Sequence, residues 1–425
     1  MKKTQVGLIP HDWEAVQLGK LLRRAPTYGI NAAAVSFDSR LPTYLRITDI
    51  TEDGRFAEAT KASVKHPDAP SYRLELHDLV VARTGASVGK SYRYDPEDGD
   101  LVFAGFLIRL SPDPERLEAR FLAYFLQSAP YWNWVRINSM RSGQPGINGR
   151  EYATLPIPLP PTKAEQDAIA GALSDADALI ESLEQLLVKK RRIKQGAMQE
   201  LLTGKKRVPG FATKHGFKQT EAGSIPEDWL IKSLDEIASV TSGKRLPLGH
   251  SLTEHETPHP YIRVTDMRPG TVSLSDIKFV PVNVFPRIRR YRIFKEDLFI
   301  SVAGTLGIVG KIPPALDGAN LTENADRITN ITCSQEYLLH VMMAPPIQST
   351  IESLQTIGAQ PKLALMRIRK FSIPLPPSKA EQIAIAETIS DMDAEIDVLE
   401  AKLSKARDLK QGMMQELLTG RIRLT

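Results

Sequence analysis

The chain has 425 residues, a formal charge of +5 and a pI of about 9.0, with 42% hydrophobic and 25% charged residues. Such a length exceeds one ordinary domain and such a composition excludes wholesale disorder, so two or more buried cores are expected. A single cysteine, Cys333, excludes an internal disulfide, no apolar run suits a signal peptide or a membrane span, and a cytoplasmic location is expected.

In chain order, the first half opens on Ile9-Pro10-His11-Asp12-Trp13. The string from Tyr44 to Ile50 alternates like a strand, and its Asp49 could pair with Arg46. The glycine loop from Gly85 to Ser91 resembles a phosphate-binding P-loop, but only three residues separate its glycines where that motif needs four. Proline and turn residues follow it, so it is predicted as strand-turn-strand. From Phe121 to Ile137 an amphipathic helix is expected, with Phe121, Tyr124, Phe125, Trp132 and Val135 on or near a core. A polar loop then surrounds Gln144-Pro145.

The tail of this half begins with a proline-rich segment that cannot be helical, followed by a capping-box pattern of Thr162 and Glu165. Behind it, Ile169, Leu173, Ala176, Ile180, Leu183 and Leu187 recur at alternating spacings of four and three, which is a coiled-coil seam. A helix over about 163–202 would measure on the order of 60 Å. Lys190 and Lys194 interrupt the seam near its end, so pairing is expected to loosen or change partner there.

The second half rewrites the first at an offset of 216 residues. Ile157 to Gly204 aligns without a gap to Ile373 to Gly420, with 32 of 48 positions identical. Ile9-Pro10 and Trp13 meet Ile225-Pro226 and Trp229, Ser378 and Glu381 repeat the capping box, and Ile385, Ile389, Met392, Ile396, Leu399 and Leu403 repeat the seam. Between these anchors only islands match, such as Tyr44–Ile50 with Tyr261–Met267 and Asp78–Gly85 with Asp297–Gly304. A pseudo-dyad would set the two helices antiparallel; the alternative is that each stripe packs on its own domain.

Two divergent domains, each closed by Pro-Leu-Pro-Pro-x-x-x-Glu-Gln and a heptad helix ending in Glu-Leu-Leu-x-Gly, resemble the specificity subunits of type I restriction-modification systems. The carriers are Pro158, Pro160, Pro161, Glu165 and Gln166, then Pro374, Pro376, Pro377, Glu381 and Gln382. The resemblance implies an α+β chain. Two mixed α/β target recognition domains, at 1–155 and 223–371, would be separated by a long antiparallel two-helix coiled coil from spacers 156–205 and 372–425, with a linker at 206–222. It also implies double-stranded DNA and two methyltransferase (modification) subunits as partners, joined by restriction subunits. S-adenosylmethionine, ATP and Mg would belong to those partners, with no cofactor in this chain.

Such a protein reads sequence through base edges, whereas phosphate contacts only set register. Base-readers should lie where the copies differ. Residues present in both, Arg46 and Arg263, Lys90 and Lys311, Gln144 and Gln360, are candidates for phosphate contact or structure. Arg83, Thr84, Ser87, Arg141, Ser142 and Asn148 in the first half, and Lys244, Arg245, Arg289 and Arg290 in the second, are candidates for base contact. No catalytic residue or metal ligand is assigned: no Asn-Pro-Pro-aromatic string occurs, and His255-Glu256 lacks a second histidine at zinc-ligand spacing. Rival functions are an enzyme that methylates or cuts DNA by itself and a coiled-coil scaffold that binds only proteins.

Overall fold

Runs such as Leu79-Val80-Val81-Ala82 are too short for helices and apolar on both faces, and they form buried central strands. The computed structural model describes residues 1–141, 143–211, 216–221, 223–353 and 362–424. Two units result, Met1–Gln185 with Ala401–Thr425, and Leu186–Glu400. Each holds one variable domain, the start of that domain's own tail and the end of the other tail.

In the first unit a four-stranded antiparallel sheet runs in the order Leu22–Tyr28, Leu107–Pro112, Leu79–Ala82, Ser91–Arg93. A second sheet has the order Leu101–Phe103, Thr43–Leu45, Ala62–Val64, Ala34–Ser36, its first two strands parallel. The second unit repeats both. Ser239–Ser242, Ala325–Thr329, Leu298–Ser301 and Val309–Lys311 make one sheet. Lys278–Phe279, Pro260–Ile262, Ala319–Leu321 and Arg292–Ile293 make the other, with Pro260–Ile262 and Ala319–Leu321 again parallel. The fold is therefore mixed α/β, built twice.

The glycine loop at Gly85 is the predicted turn between antiparallel strands Leu79–Ala82 and Ser91–Arg93. The proline-rich segments form strands: Pro156–Leu159 pairs with Glu14–Gln17, and Ser372–Leu375 with Leu230–Ser233. Two-stranded ribbons tolerate proline because each strand has an edge that needs no N–H donor.

The aromatic stretch departs from expectation. It is two helices, α1 (Ala119–Phe125) and the segment Ala129–Asn138, because Pro130 cannot continue a helix but suits a first turn. Phe121, Tyr124, Phe125 and Val135 are buried as expected, yet Trp132 is 40% exposed and Tyr131 takes the core position.

Two 39-residue helices follow the domains, α2 (Lys163–Leu201) and, beyond α3 (Gln335–Met343), α4 (Lys379–Leu417). Thr162 and Ser378 cap them, each Oγ accepting the N–H of Glu165 or Glu381 at 3.2 Å. Instead of completing a capping box, both glutamates turn to arginines, Glu165 to Arg423 and Glu381 to Arg207. A paired guanidinium holds a buried carboxylate more strongly than a backbone N–H does.

Of the expected seam, Ile169, Leu173, Ile180, Leu187, Ile385, Ile389, Ile396 and Leu403 are buried, whereas Leu183 and Leu399 are half-buried. Ile169 and Leu173 sit in the core of the first domain and Ile385 and Ile389 in that of the second. The first turns of each stripe thus serve their own domain. The ends of the tails complete the same cores, with Leu417 and Leu418 in the first unit and Met198, Leu201 and Leu202 in the second.

Ion pairs order the segments within each unit. In the first, Asp177 pairs with Lys410 and Glu184 with Arg407, both at 2.6 Å, so residue numbers rise on one helix as they fall on the other. In the second, Lys190 pairs with Glu395 and Lys194 with Asp393 in the same sense. At these two lysines, where the stripe is expected to loosen or change partner, ion pairs take the place of apolar contact. Each helix ends on a glycine in the left-handed region, Gly204 at φ +69° and Gly420 at φ +67°. A Cβ there would meet Pro226 at 2.5 Å or Pro10 at 2.6 Å, so the closing glycine of each tail serves both conformation and contact. Among the described residues no helix is long and apolar enough to cross a membrane.

One duplicated network differs by a single residue. The Tyr124 hydroxyl donates to Asp177 at 2.8 Å and lies 3.2 Å from the Ser174 hydroxyl, with Lys410 on the same aspartate. At the matching place His340 Nε2 lies 3.1 Å from the Ser390 hydroxyl, beside the Asp393–Lys194 pair. Burial pushes the His340 imidazole below its ordinary 6.5, although Asp393 pulls the other way. The unfolded chain then binds a proton that the folded chain refuses, so stability is full above about pH 6.5 and declines as pH falls toward the folded-state value. His340→Tyr should remove that decline. Melting temperatures at about pH 7.5 and about pH 5.5 check this: the wild type should lose more between them than the variant, and equal losses would contradict it.

Candidate nucleic-acid interface

The residues that both copies share are mostly brackets of the fold. Arg46 sits before the 3-10 turn Ile47–Asp49 and forks onto Asp49 at 2.8 and 2.7 Å, also donating to the Thr60 carbonyl at 2.8 Å. Arg263 repeats this on Asp266 at 3.0 and 2.6 Å and on the Asp276 carbonyl at 2.6 Å. Asp49 and Asp266 are buried, and the bidentate geometry fixes both turns. Lys90 donates to the Ile50 carbonyl at 3.3 Å and pairs with Glu52 at 2.6 Å, while Lys311 pairs with Glu336 at 2.5 Å; the two do not correspond as expected, because Lys311 lies opposite Leu298 as Arg93 lies opposite Leu79. These lysines tie glycine loops to neighbouring segments.

In the first domain the candidate loops meet. Thr84 bridges to Gly146 across the Gly85 and Gln144-Pro145 loops, and Gly85 N–H donates to the Pro145 carbonyl at 3.0 Å. Arg83 lies over the Tyr28 ring at 4.8 Å, Ser87 closes the 3-10 turn Gly85–Ser87, and Gln144 is exposed beside Gly85. Two candidates are engaged locally: Arg141 pairs with Glu151 at 2.5 Å, and Asn148 caps the helix Gly149–Ala153 by accepting the Glu151 N–H at 2.9 Å. Glu151, three residues past Asn148, absorbs both. Ser142 and Gln360 lie outside the described residues.

In the second domain four candidates converge on one aromatic ring or flank it. Arg290 lies 5.0 Å from the Tyr291 ring centre and Lys244 lies 6.0 Å from it. Arg290 also donates to the Tyr291 hydroxyl at 2.8 Å. Arg245 is adjacent and 80% exposed in its side chain, with Glu323 at 3.8 Å, and Arg289 is exposed. Among the described residues no carboxylate pairs with Lys244, Arg289 or Arg290, so this surface keeps its positive charge toward solvent.

Residue type does not single out Tyr28 and Tyr291, against whose rings Arg83 and Arg290 lie, or the buried Arg109 and half-buried Arg327, which donate to the carbonyls of Arg73 and of Arg290 and Arg292. The signal was faint: Arg109-Leu110-Ser111 and Arg327-Ile328-Thr329 are the only trace of correspondence between two strands that otherwise diverge. Among the described residues no group of three or more His, Cys, Asp or Glu side chains could hold a metal ion.

This arrangement has relatives. Residues 10–189 and 226–406 each match the family described as Type I restriction modification DNA specificity domain. The chain is 23% identical to the type I restriction enzyme MjaVIII specificity subunit of Methanocaldococcus jannaschii, over 98% of this chain and 94% of that one. It is 24% identical to the type I restriction enzyme EcoKI specificity subunit of Escherichia coli K12, over 97% and 89%. The crystal structure of a type I restriction-modification system S subunit from M. genitalium shares the fold, with a TM-score of 0.56 at 17% identity over 96% of both chains. With both of its copies matched, the chain belongs to the type I restriction-modification DNA specificity family.

Proposed function

We propose that this chain is the non-catalytic recognition subunit of a type I restriction-modification complex and binds a bipartite DNA duplex through two recognition domains. Residues 1–155 and 223–371 act as the readers, 156–205 and 372–425 as spacers, and 206–222 as the linker. One observation carries this reading: a single scaffold is built twice with unlike residues in its exposed loops. The Arg46–Asp49 and Arg263–Asp266 brackets repeat, whereas the matching turns Gly85 to Gly89 and Gly304 to Gly307 differ in length and residues, as do Pro70-Ser71 and Arg289-Arg290. Two readers of unlike half-sites need that division, because base contacts specify and backbone contacts position.

The helices pair as an antiparallel coiled-coil spacer; the opposed numbering of the ion pairs within each unit supports this. Two methyltransferase subunits dock on the spacer and restriction subunits join them. Leu179, Leu186, Val188, Ile193, Val398 and Leu409, exposed apolar residues on these helices, support a docking role. S-adenosylmethionine, ATP and Mg act on those partners, in the cytoplasm where the DNA is.

Assembled with its methyltransferase subunits, the chain should bind duplexes carrying the split motif methylated in its host at least about a thousandfold tighter than unrelated DNA. Affinity should fall steeply with salt. The chain alone, given labelled methyl donor and DNA, should transfer nothing. Binding without sequence preference, or no binding, would contradict the recognition role; transfer by the isolated chain would make it a methyltransferase in its own right.

A further inference from the structure

The two domains diverge in sequence, but strand register fixes which positions correspond. Val102 pairs with Tyr44 in parallel and bridges to Arg73, while Asn320 pairs with Tyr261 in parallel and with Arg292 antiparallel. Tyr44 and Tyr261 open the shared Tyr-x-Arg-x-Thr-Asp string, so Arg73 and Arg292 hold the same place. The 3-10 turns just before them, Ala69–Tyr72 and Arg289–Tyr291, are therefore equivalent.

Both turns hang from an arginine, buried at Arg109 and half-buried at Arg327. Arg109 donates to the Arg73 carbonyl at 3.1 Å and to the Thr27 hydroxyl at 3.2 Å. Arg327 donates to the Arg290 and Arg292 carbonyls at 3.1 and 2.5 Å and to the Thr241 hydroxyl at 2.9 Å. A planar guanidinium fork can hold a strand hydroxyl and a turn carbonyl together in a way that a lysine cannot. What the brackets present differs. The first turn reads Pro70-Ser71-Tyr72-Arg73 and the second Arg289-Arg290-Tyr291-Arg292, so tyrosine and the last arginine persist while two uncharged residues become two arginines. Arg73 is neutralised by Asp100 at 3.0 Å, whereas Arg292 lies over the Phe294 ring at 5.1 Å with no carboxylate among the described residues. A common support with exchanged, exposed cargo is the pattern expected of an element that meets the ligand.

We propose that these turns are paired DNA-contact elements positioned by Arg109 and Arg327, with Arg289, Arg290 and Lys244 gripping duplex phosphates in the second domain and Pro70-Ser71 leaving the same place uncharged in the first. The inference rests on the DNA-recognition reading. It makes the two domains unequal: the second holds the backbone more strongly and the first depends more on its other contacts. Arg109 and Arg327 touch no DNA and act as positioning residues.

The test uses the full chain assembled with its methyltransferase subunits and a duplex carrying the split motif methylated in the host, titrated at several salt concentrations. Arg289→Ala with Arg290→Ala should weaken binding about tenfold or more and lower the log–log salt slope by about two, because two phosphate contacts are lost. Ser71→Arg should raise the slope by about one, a gain that no loss of folding can imitate. Arg327→Lys keeps the charge but loses the fork, and should lower the slope as the double alanine variant does. A purely structural Arg327 would lower the melting temperature and leave the slope alone, which would overturn its positioning role. Unchanged affinity and slope in the double alanine variant, with sequence-specific binding by the wild type, would overturn the contact element while the DNA reading stands. A wild-type complex that ignores the motif would overturn both.

Discussion

Arg207→Ala is expected to destabilise the unit Leu186–Glu400 by about 3–5 kcal/mol, the usual result of stranding a buried ion-pair partner. Arg207 donates to Glu381 at 2.6 and 3.0 Å, to Asp228 at 2.9 and 3.2 Å, and to the Phe211 carbonyl at 2.8 Å. Its guanidinium also lies 5.6 Å from the centre of the buried Trp229 ring. The side chains of Glu381 and Asp228 are only 1% and 7% exposed, so alanine would take this cation from two carboxylates that water hardly reaches. The duplication supplies an internal control. Arg423 clamps Glu165 and Asp12 in the same pattern, but Asp12 is 53% exposed and can return to water. Arg423→Ala should therefore cost less. Unfolding by denaturant, followed for both variants, checks the order; a loss below about 1 kcal/mol for Arg207→Ala would mean that the clamp is not a buried ion pair.

Much of this fold was legible because the chain states it twice. The 216-residue offset, the helix expected over about 163–202 and found at Lys163–Leu201, and the Arg46–Asp49 pair all follow from local spacing and residue type. Spacing alone misled where tertiary partners compete. The a/d stripe assigns Ile169, Leu173, Ile385 and Ile389 to the other helix alone, yet they lie in cores that join a domain to the end of that helix. A single helix drawn through Pro130 turns Trp132 inward, and the break there turns Tyr131 inward instead. The candidate interface was harder for a related reason. Arginine and asparagine suit base edges wherever they occur, but Arg141 and Asn148 are spent on Glu151, a partner that residue type did not reveal. Arg109 and Arg327 support turns 36 and 35 residues away, a relation that only strand register exposes.

The largest effect expected on function comes from shortening both helices at once. Deleting Ile180 to Leu186 together with Ile396 to Lys402 removes one heptad from each, so the buried stripes stay in phase while each helix loses about 10 Å. The Glu184–Arg407 and Arg191–Glu400 pairs go with the deleted residues, but both are exposed and contribute little. If the paired helices are the spacer, the readers draw closer by about three base pairs and would have to rotate by roughly 100° about the DNA axis, given 10 to 10.5 pairs per turn. Rigid readers cannot follow that twist without strain. The decisive measurement is the map of methylated bases in the DNA of cells carrying the shortened chain and its methyltransferase subunits. Either modification disappears or the motif keeps both half-sites with a shorter unspecified gap; an assembled, active complex that keeps the original gap would contradict the claim that these helices set the distance between two readers.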